Sequence, residues 1–190
     1  MIRFAFKEWD VICRALAEGR QALILRKGGI AEEGNVFRPE HPRFWLYPTF
    51  VHQQRDGIKA DAMPLLKASE RDKPPAGIVR LSHFVEVSGA FFVDRLDVAL
   101  ALDKLHLWSL DTVKKRFEYR EPGLFALAAR VYRIERPIDV PHRAAYDGCK
   151  TWVEFDEGFS TDGATPVIET RRYADFLEKL DAILNPRAYA

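Results

Sequence analysis

The stretch Phe-Trp-Leu-Tyr-Pro-Thr-Phe-Val-His-Gln-Gln-Arg, residues 44–55, runs from an aromatic segment directly into a polar cluster. Residues 44–51 are rich in aromatic side chains and predict a buried β-strand. Such a strand commonly ends in Gly, Asn or Asp, whereas this one ends in an imidazole, two amides and a guanidinium. These groups recognise ligands or react, so the stretch predicts a strand of the central sheet and a candidate site at its end.

Length and composition indicate one globular domain spanning residues 1–190. The chain contains 47% hydrophobic and 30% charged residues, and a chain of this size buries roughly 70% of the surface that its unfolded form exposes. No apolar run approaches the ~20 residues that span a bilayer, and the amino terminus lacks the apolar stretch of a secretory signal. We therefore expect a cytoplasmic location and no membrane partner. The net charge of +1 excludes strong global basicity but leaves room for local basic patches.

The first part of the chain predicts a helix followed by two strands that pair with each other. Apolar residues recur at helical spacing over residues 5–16, and Gly19 follows as a left-handed cap. A short β-type run over residues 21–27 ends at two glycines, and a loop leads back to the strand at 44–51. We expect these two strands to pair antiparallel, which would bring Lys27 close to the polar cluster.

The remainder of the chain alternates less regularly between helices and strands. Helices are predicted where apolar residues recur every three to four positions, and strands where they alternate or form short runs. The predicted elements are a helix within 59–70 with Pro64 in its first turn, a strand over 78–87, helices over 94–105 and from Ser109 to before Glu121, strands over 124–134 and 151–155, and a helix over 173–184. This order predicts an α+β fold, with a mixed or antiparallel, open or partly closed sheet packed by amphipathic helices.

The expected strand pairing places an anion site beside the polar cluster. The turn Lys27-Gly28-Gly29 would expose backbone amides and add a cation. Thr49, His52 and Gln53 stand at the end of the partner strand, so the group could bind a phosphate or a base edge, with His52 as a general acid or base. The alternative is structural, with an ordinary turn at Lys27 and with His52 and Gln53 satisfying loop and backbone groups. Both interpretations remain open from the sequence.

A second candidate is the basic and aromatic segment over residues 114–120. Its basic residues are Lys114, Lys115, Arg116 and Arg120. Together with Phe117 and Tyr119 they have the composition that suits phosphate contacts and base stacking. The plainer interpretation, which we favour, is an amphipathic helix end, where basic side chains favour the helix dipole and Phe117 enters the core. This segment is nevertheless the best local argument for nucleic acid.

Motifs with a fixed mechanism are missing from the sequence. It contains no phosphate-binding glycine loop, no His-Glu-x-x-His, no Cys-x-x-Cys and no Gly-x-Ser-x-Gly. The acidic tract around Asp156 and Glu157 suits Mg²⁺ but also describes a solvated loop, so no metal site is predicted. Cys13 and Cys149 are expected to be free thiols, and His83 a hydrogen-bonded core histidine. No cofactor, reaction or oligomeric state is identified.

Several phrases of the sequence together resemble a known prokaryotic family. They are Ala5-Phe6-Lys7-Glu8-Trp9, the run from Ile24 to Ile30, Phe44 to Thr49 with His52-Gln53, Arg116 to Tyr119, Pro122-Gly123-Leu124, and Gly148 to Glu154. The family is the one called domain of unknown function 1802, and the resemblance spans nearly the whole chain. Some members are similar to proteins linked to restriction-endonuclease domains, which implies a role around restriction and modification or other DNA transactions. The resemblance implies no catalytic residues.

Two hypotheses follow from the residues and the resemblance. In the first, the protein is a nucleic-acid-interacting accessory module with DNA or RNA as ligand and a nuclease as partner. Its phosphate contacts are Lys114, Lys115, Arg116 and Arg120, and its recognition pocket contains Thr49, His52 and Gln53. In the alternative, it is a small hydrolase or transferase acting on a nucleotide or phosphorylated metabolite, with His52 as acid or base and Lys27 holding the anion.

Overall fold

The computed structural model describes residues 1–27, 40–148 and 150–185, together with the backbone of residues 32–33 and 36–37. In chain order the elements are β1 (Ile2–Trp9), α1 (Asp10–Ala17), β2 (Leu23–Arg26), β3 (Glu32–Glu33), β4 (Val36–Phe37), β5 (Arg43–Thr49), α2 (Met63–Arg71), β6 (Ile78–Val93), α3 (Leu96–Ala101), α4 (Leu110–Glu118), β7 (Leu124–Pro141), β8 (Trp152–Phe159), β9 (Thr165–Pro166) and α5 (Thr170–Leu184). Short 3₁₀ turns lie between several of them.

Seven strands form one mixed sheet in the order β2-β7-β6-β5-β1-β8, with β9 added beside β7. β1 and β5 run parallel, whereas the other pairs in this sheet are antiparallel. The path begins at β2 and ends at β8, so the sheet is open over the described residues. Helices packed on this sheet complete an α+β fold, which confirms the predicted fold class.

Both faces of the sheet are buried, which explains why several strands carry continuous apolar runs. On one face, Phe6 and Phe44 join a large apolar cluster that contains residues of all five α-helices. On the other face, Ala5 and Trp45 belong to a second cluster that also contains Tyr146. Because neighbouring residues on β1 and β5 enter opposite clusters, these two strands lie at the centre of the core.

The predicted amino-terminal helix is wrong in its first half. Residues 2–9 form strand β1, and the helix extends only over Asp10–Ala17. β1 is inserted between β5 and β8, and its adjacent residues Ala5 and Phe6 are both fully buried. A strand buried on both faces lacks the alternation of apolar and polar residues that would distinguish it from a helix.

The expected pairing of the second and third predicted elements is also wrong. β2 pairs with the beginning of β7, so that Leu23 lies opposite Ala128. Both edges of β5 are already occupied, one by β1 and the other by β6. The pairing that would have placed Lys27 beside His52 therefore does not form. Gly28, Gly29 and Cys149 lie outside the described residues.

The elements with strong local signals lie where the sequence predicts them. Pro64 stands in the first turn of α2, and the hydroxyl of Ser109 accepts a hydrogen bond of 3.3 Å from the Thr112 amide at the start of α4. Gly19 adopts a left-handed φ of +66° after α1. β6 and β7 continue beyond the predicted bounds to Val93 and Pro141. None of the helices in the described ranges is both long and apolar enough to cross a bilayer.

Candidate functional site

The carboxyl ends of the parallel strands β1 and β5 open into a cleft of about 510 Å³. Glu8 lies opposite Pro48 and Trp9 lies opposite Thr49, so the two strands end side by side. The loop after β5, the beginning of β6 and the segment before β8 complete the walls. The cleft therefore lies at the strand end that residues 44–55 predict, although β1 rather than β2 is the neighbouring strand.

The cleft combines aromatic rings with an excess of cationic side chains. The rings are those of Trp9, Tyr47, Phe50 and Tyr146, the cations are Lys7, Arg26, Arg80, Arg116 and Lys150, and the carboxylates are Glu8 and Asp147. Each of these cations has at least one partner in the structure: Lys7 donates to the carbonyls of Tyr146 and Gly148, and Lys150 donates to that of Ala145. Arg80 alone among them pairs with a carboxylate of the described residues, that of Asp139. Even so, the cleft favours a planar, anionic ligand.

Arg116 on α4 reaches into the cleft and is held there by two tryptophans and a backbone carbonyl. Its guanidinium lies 3.6 Å from the ring centre of Trp108 and 5.9 Å from that of Trp9, and Nη1 donates to the Leu25 carbonyl at 3.1 Å. Burial lowers the pKa of Arg116 to about 10, while the charge of Glu8 opposes that shift. At neutral pH this side chain is a cation fixed at a partly desolvated position.

Arg26, at the end of β2, supplies a second guanidinium to the same cleft. Its Nη2 donates to the Thr151 hydroxyl at 3.2 Å, and its guanidinium lies 4.9 Å from the ring centre of Phe6. Among the described residues, neither Arg26 nor Arg116 forms an ion pair with a carboxylate. Two oriented guanidinium groups thus keep donors available for an anion.

The indole of Trp9 is positioned by a close approach of the backbone. Its ring centre lies 4.8 Å from that of Trp108, and the backbone of Gly57 also lies close to the ring. A Cβ atom at position 57 would come within 2.6 Å of the Trp9 ring. Any other residue at position 57 would therefore displace Trp9, which is one wall of the cleft.

Glu8 contributes a buried carboxylate to the bottom of the cleft. Only 2% of its surface is exposed, and its Oε1 accepts a hydrogen bond of 2.8 Å from the Trp9 amide. Its backbone carbonyl accepts a hydrogen bond of 3.0 Å from the Thr49 hydroxyl. Oε2 is buried and has no hydrogen-bond partner in the described part of the chain. We call Glu8, Arg26 and Arg116 the cleft floor.

The residues of the predicted polar cluster have different positions in the structure: His52 lines the cleft, whereas Gln53 makes structural hydrogen bonds. His52 is exposed and lines the cleft, and its backbone adopts a left-handed φ of +67°. Thr49 also lines the cleft, but its hydroxyl is bonded to Glu8. Gln53 links two helices, because Oε1 accepts from the Val11 amide at 3.3 Å and Nε2 donates to the Ser69 hydroxyl at 2.8 Å. We call the exposed residues Val51, His52 and Lys150 the cleft rim.

Lys27 does not share the cleft with His52. Its ammonium donates to the carbonyls of Phe117, Glu121 and Gly123, at 3.0 Å for Phe117 and 2.6 Å for Gly123. These contacts use all three of its donors and tie the end of α4 to β2. Burial lowers the pKa of Lys27, and the charge of Glu121 opposes that shift. The structure therefore gives Lys27 a role in packing α4 rather than the predicted anion contact beside His52.

The basic segment of α4 points in two directions. Lys114, Lys115 and Arg120 are exposed, whereas Arg116 turns inward to the cleft floor. Arg120 lines a neighbouring pocket of about 590 Å³, which also contains the exposed rings of Phe92 and Tyr119. Arg26 and Arg116 line both pockets, so the two pockets adjoin at these residues.

Sequence reasoning assigned no role to Glu8, Trp9 or Arg26. Glu8 follows Lys7 in a segment that was assigned to an amphipathic helix, where adjacent charged residues are expected on the solvent side, so no signal of its burial is present in the sequence. His83 matches its prediction in part. Nδ1 is bonded to the Ser82 hydroxyl at 2.8 Å, and burial, with the charge of Arg133, lowers its pKa to about 4, but the residue is only partly buried and Nε2 has no hydrogen-bond partner among the described residues.

Comparison with solved structures gives a distant likeness over most of the chain. The crystal structure of ASCH from Zymomonas mobilis shares 13% identity at a TM-score of 0.48, covering 92% of this chain and 93% of that chain. A serine-to-alanine variant of the same protein gives a TM-score of 0.47 at 12% identity, with coverages of 92% and 94%. A tyrosine-to-phenylalanine variant gives 0.46 at 10% identity, with coverages of 92% and 96%. TM-scores of this size do not establish a common fold.

Comparison at the level of sequence identifies the family. No curated protein matches this chain significantly. The family model described as domain of unknown function (DUF1802) matches residues 5–179, which include both strands that end at the cleft and the α4 residue Arg116. The resemblance seen in the sequence is thereby confirmed, and the chain belongs to the DUF1802 family.

Proposed function

We propose that the protein binds single-stranded nucleic acid, with one unpaired nucleotide held in the cleft between the ends of β1 and β5. The observation that carries this proposal is the pair of guanidinium groups, Arg26 and Arg116, at the bottom of an aromatic cleft. A guanidinium binds phosphate oxygens in bidentate geometry, and an aromatic wall stacks on a base. A nucleotide unit carries both a phosphate for the guanidinium groups and a base for the aromatic wall.

The shape of the surface supports a polymer over a free nucleotide. The neighbouring pocket shares Arg26 and Arg116 with the cleft and adds the exposed rings of Phe92 and Tyr119. A chain that passes over the two arginines places its next base beside these rings. Bases in a duplex are already stacked on each other, so an extended track with separate aromatic surfaces favours an unpaired strand.

Exposed basic residues on α4 and directly after it continue the positively charged surface outside the cleft floor. Lys114, Lys115 and Arg120 supply contacts to phosphates that flank the bound nucleotide. In this arrangement Arg116 contacts the central phosphate, and the other three contribute mainly to salt-dependent attraction. An accessory role beside a nuclease, in restriction and modification, remains a prediction from the family resemblance.

The proposal is tested by titrating the protein with labelled single-stranded RNA, single-stranded DNA and duplexes at several salt concentrations. Single strands should bind more tightly than duplexes, and the logarithm of the dissociation constant should rise linearly with the logarithm of the salt concentration. Mononucleotides in the same assay should bind more weakly than oligonucleotides of about ten residues.

A pair of charge-matched variants locates the binding surface. Arg26→Gln should weaken binding by about tenfold, because it removes one of the two floor guanidiniums. Arg171→Gln removes the same charge from an exposed position on α5 and should leave affinity nearly unchanged. Absence of salt-sensitive binding, or equal effects of the two variants, would contradict the proposal.

A further inference from the structure

Two nearly buried tyrosines differ in what their hydroxyl groups contact. Tyr47 on β5 is 4% exposed, and Tyr173 on α5 is 7% exposed. The hydroxyl of Tyr173 donates to the Ser88 hydroxyl at 3.0 Å, whereas the hydroxyl of Tyr47 makes no hydrogen bond with any described residue. A tyrosine that is buried to this extent usually has a partner for its hydroxyl, so the position of Tyr47 requires an explanation.

The Tyr47 hydroxyl opens onto the cleft. Tyr47 is one of the residues that line the cleft. Its hydroxyl oxygen is not among the unpartnered polar atoms of the described residues that are closed off from solvent. A hydroxyl that is neither bonded within the protein nor closed off retains accessible surface, and for Tyr47 that surface faces the cleft. A ligand in the cleft can therefore reach it directly.

This hydroxyl is a neutral hydrogen-bond donor at a fixed position. Burial, together with the neighbouring groups of Asp147 and Tyr146, raises the pKa of Tyr47 to about 12, so the proton stays on the oxygen at neutral pH. The ring packs beside Lys7, whose Nζ lies 5.7 Å from the ring centre, and beside Tyr146, whose ring centre lies 6.4 Å away. Because the side chain is already ordered, a ligand that bonds to the hydroxyl loses little conformational entropy there.

Tyr47 and the two guanidiniums of the cleft floor approach the cleft from opposite faces of the sheet. Arg26 and Arg116 lie over the rings of Phe6 and Trp108, which belong to the first apolar cluster. Tyr47 belongs to the second cluster, on the other face. Because all three side chains line one cleft, the cleft passes around the ends of β1 and β5. A ligand held at the guanidiniums must extend around these strand ends to reach Tyr47, as an unpaired strand can.

Resting on the proposed function above, we infer that Tyr47 is a ligand-binding residue of the cleft and that its hydroxyl donates a hydrogen bond to an oxygen or nitrogen acceptor of the bound single strand. Arg26 and Arg116 hold a phosphate of that strand on one side of the strand ends, and the hydroxyl binds the strand on the other side. The contact of Tyr47 is uncharged, so it adds affinity without adding to the release of salt ions.

The test compares two tyrosine-to-phenylalanine variants, each of which removes one hydroxyl. Labelled single-stranded RNA and DNA of about ten nucleotides are titrated with the wild-type protein, Tyr47→Phe and Tyr173→Phe at several salt concentrations. Tyr47→Phe should weaken binding by about 3- to 10-fold, which is the range for loss of a neutral hydrogen bond. Tyr173→Phe should leave affinity nearly unchanged but lower the midpoint of urea denaturation, because the Ser88 hydroxyl loses its partner.

Salt dependence separates a hydroxyl contact from an indirect effect on the charges of the cleft. The slope of the logarithm of the dissociation constant against the logarithm of the salt concentration should be the same in Tyr47→Phe as in the wild type. Arg26→Gln should lower this slope by roughly 0.7, because one phosphate fewer is neutralised. Tyr47→Phe should leave the midpoint of urea denaturation unchanged or raise it, because the hydroxyl that it removes has no partner among the described residues.

The outcomes separate this inference from the proposed function. If single strands bind the wild type and Tyr47→Phe equally, or if both phenylalanine variants lose affinity equally, the role of Tyr47 is overturned while nucleic-acid binding stands. A salt slope that falls in Tyr47→Phe as it does in Arg26→Gln also overturns it. If no oligonucleotide binds, both are overturned. A loss of affinity in Tyr47→Phe at an unchanged salt slope, with none in Tyr173→Phe, supports the inference.

Discussion

The polar groups of the cleft floor are buried and held in place, whereas those of the cleft rim are exposed to solvent. At the floor, Glu8 is almost completely buried and Arg116 is stacked on Trp108, so both groups are fixed before a ligand arrives. At the rim, His52 and Lys150 are exposed, and among the described residues the ammonium of Lys150 makes only a long hydrogen bond of 3.3 Å to the Ala145 carbonyl. Fixed, partly desolvated charges contribute more per contact than solvated ones. In the proposed function, the floor therefore determines which ligand binds, whereas the rim adds general attraction.

The largest expected effect comes from Arg116. Arg116→Leu leaves the Leu25 carbonyl without its donor and removes the positive charge near Glu8. We expect the free energy of unfolding to fall by about 3 kcal/mol, measured by urea denaturation, and single-strand binding to be lost. Lys115→Leu, on the exposed side of α4, should change stability by less than about 0.5 kcal/mol. Equal effects of the two changes would remove the distinction between a fixed floor and an exposed surface.

Lys27 is expected to behave as a structural residue in spite of its charge. Lys27→Met removes the donors to three carbonyls at the end of α4 and should lower the free energy of unfolding by about 2 kcal/mol. Oligonucleotide affinity, corrected for the folded fraction, should change by less than about threefold. A large loss of affinity in a fully folded variant would instead support the anion contact that the sequence predicted.

The contrast between buried and exposed groups also predicts how stability depends on pH. His106 is 2% exposed, and burial together with the charge of Lys59 lowers its pKa to about 4. An unfolded histidine has a pKa of about 6.5, so the unfolded state binds more protons between about pH 6.5 and pH 4. Stability should therefore fall on acidification, with His106 accounting for about 2 kcal/mol between pH 7 and pH 5.

His106→Phe provides the control for this dependence. Neither ring nitrogen of His106 makes a hydrogen bond of good geometry among the described residues, the backbone of Trp108 being the only nearby partner, so an apolar ring suits the position. Urea denaturation at several pH values should show a shallower loss of stability on acidification for the variant. Part of the loss of stability on acidification should remain in the variant, because the pKa of His83 is also lowered to about 4. An unchanged pH profile in the variant would show that folding does not lower the pKa of His106.

The smallest effect is expected at the rim. His52→Gly removes the cost of a left-handed backbone for a residue with a Cβ atom and should raise the free energy of unfolding by up to about 1 kcal/mol. Affinity for single strands should change by less than about threefold. A loss of more than tenfold in affinity, or of any hydrolase activity, would restore His52 to the role of acid or base.

Elements were predictable from the sequence where the signal is local. The cap at Ser109, the proline in the first turn of α2 and the apolar stripe of α5 depend on residues within a few positions of each other. β1 was not predictable, because burial on both faces depends on β5 and β8, which are distant in the sequence. The same reason explains the incorrect pairing of β2 with β5.

The candidate site was predictable in location but not in composition. The change from aromatic to polar residues after Phe44 marked the strand end where the cleft opens, and Thr49 and His52 do line it. Of the floor residues, Arg116 was named from the sequence as a phosphate contact, but Glu8 and Arg26 were not. The three come from separate elements that only the sheet topology brings together. Gln53 shows that residue type alone does not identify a ligand-binding group, since its amide hydrogen-bonds to residues of α1 and α2.

The position of β1 has a consequence for synthesis of the chain. β1 pairs with β5 on one edge and with β8 on the other, where Ala5 lies opposite Val153. During translation, β5 emerges soon after β1, whereas β8 emerges only after β6 and β7, so one edge of a strand that buries Ala5 and Phe6 stays open in the meantime. Glu8 belongs to that strand, and the cleft wall before β8 is also synthesised after β7. The candidate site is therefore completed only after both long strands of the sheet have been synthesised.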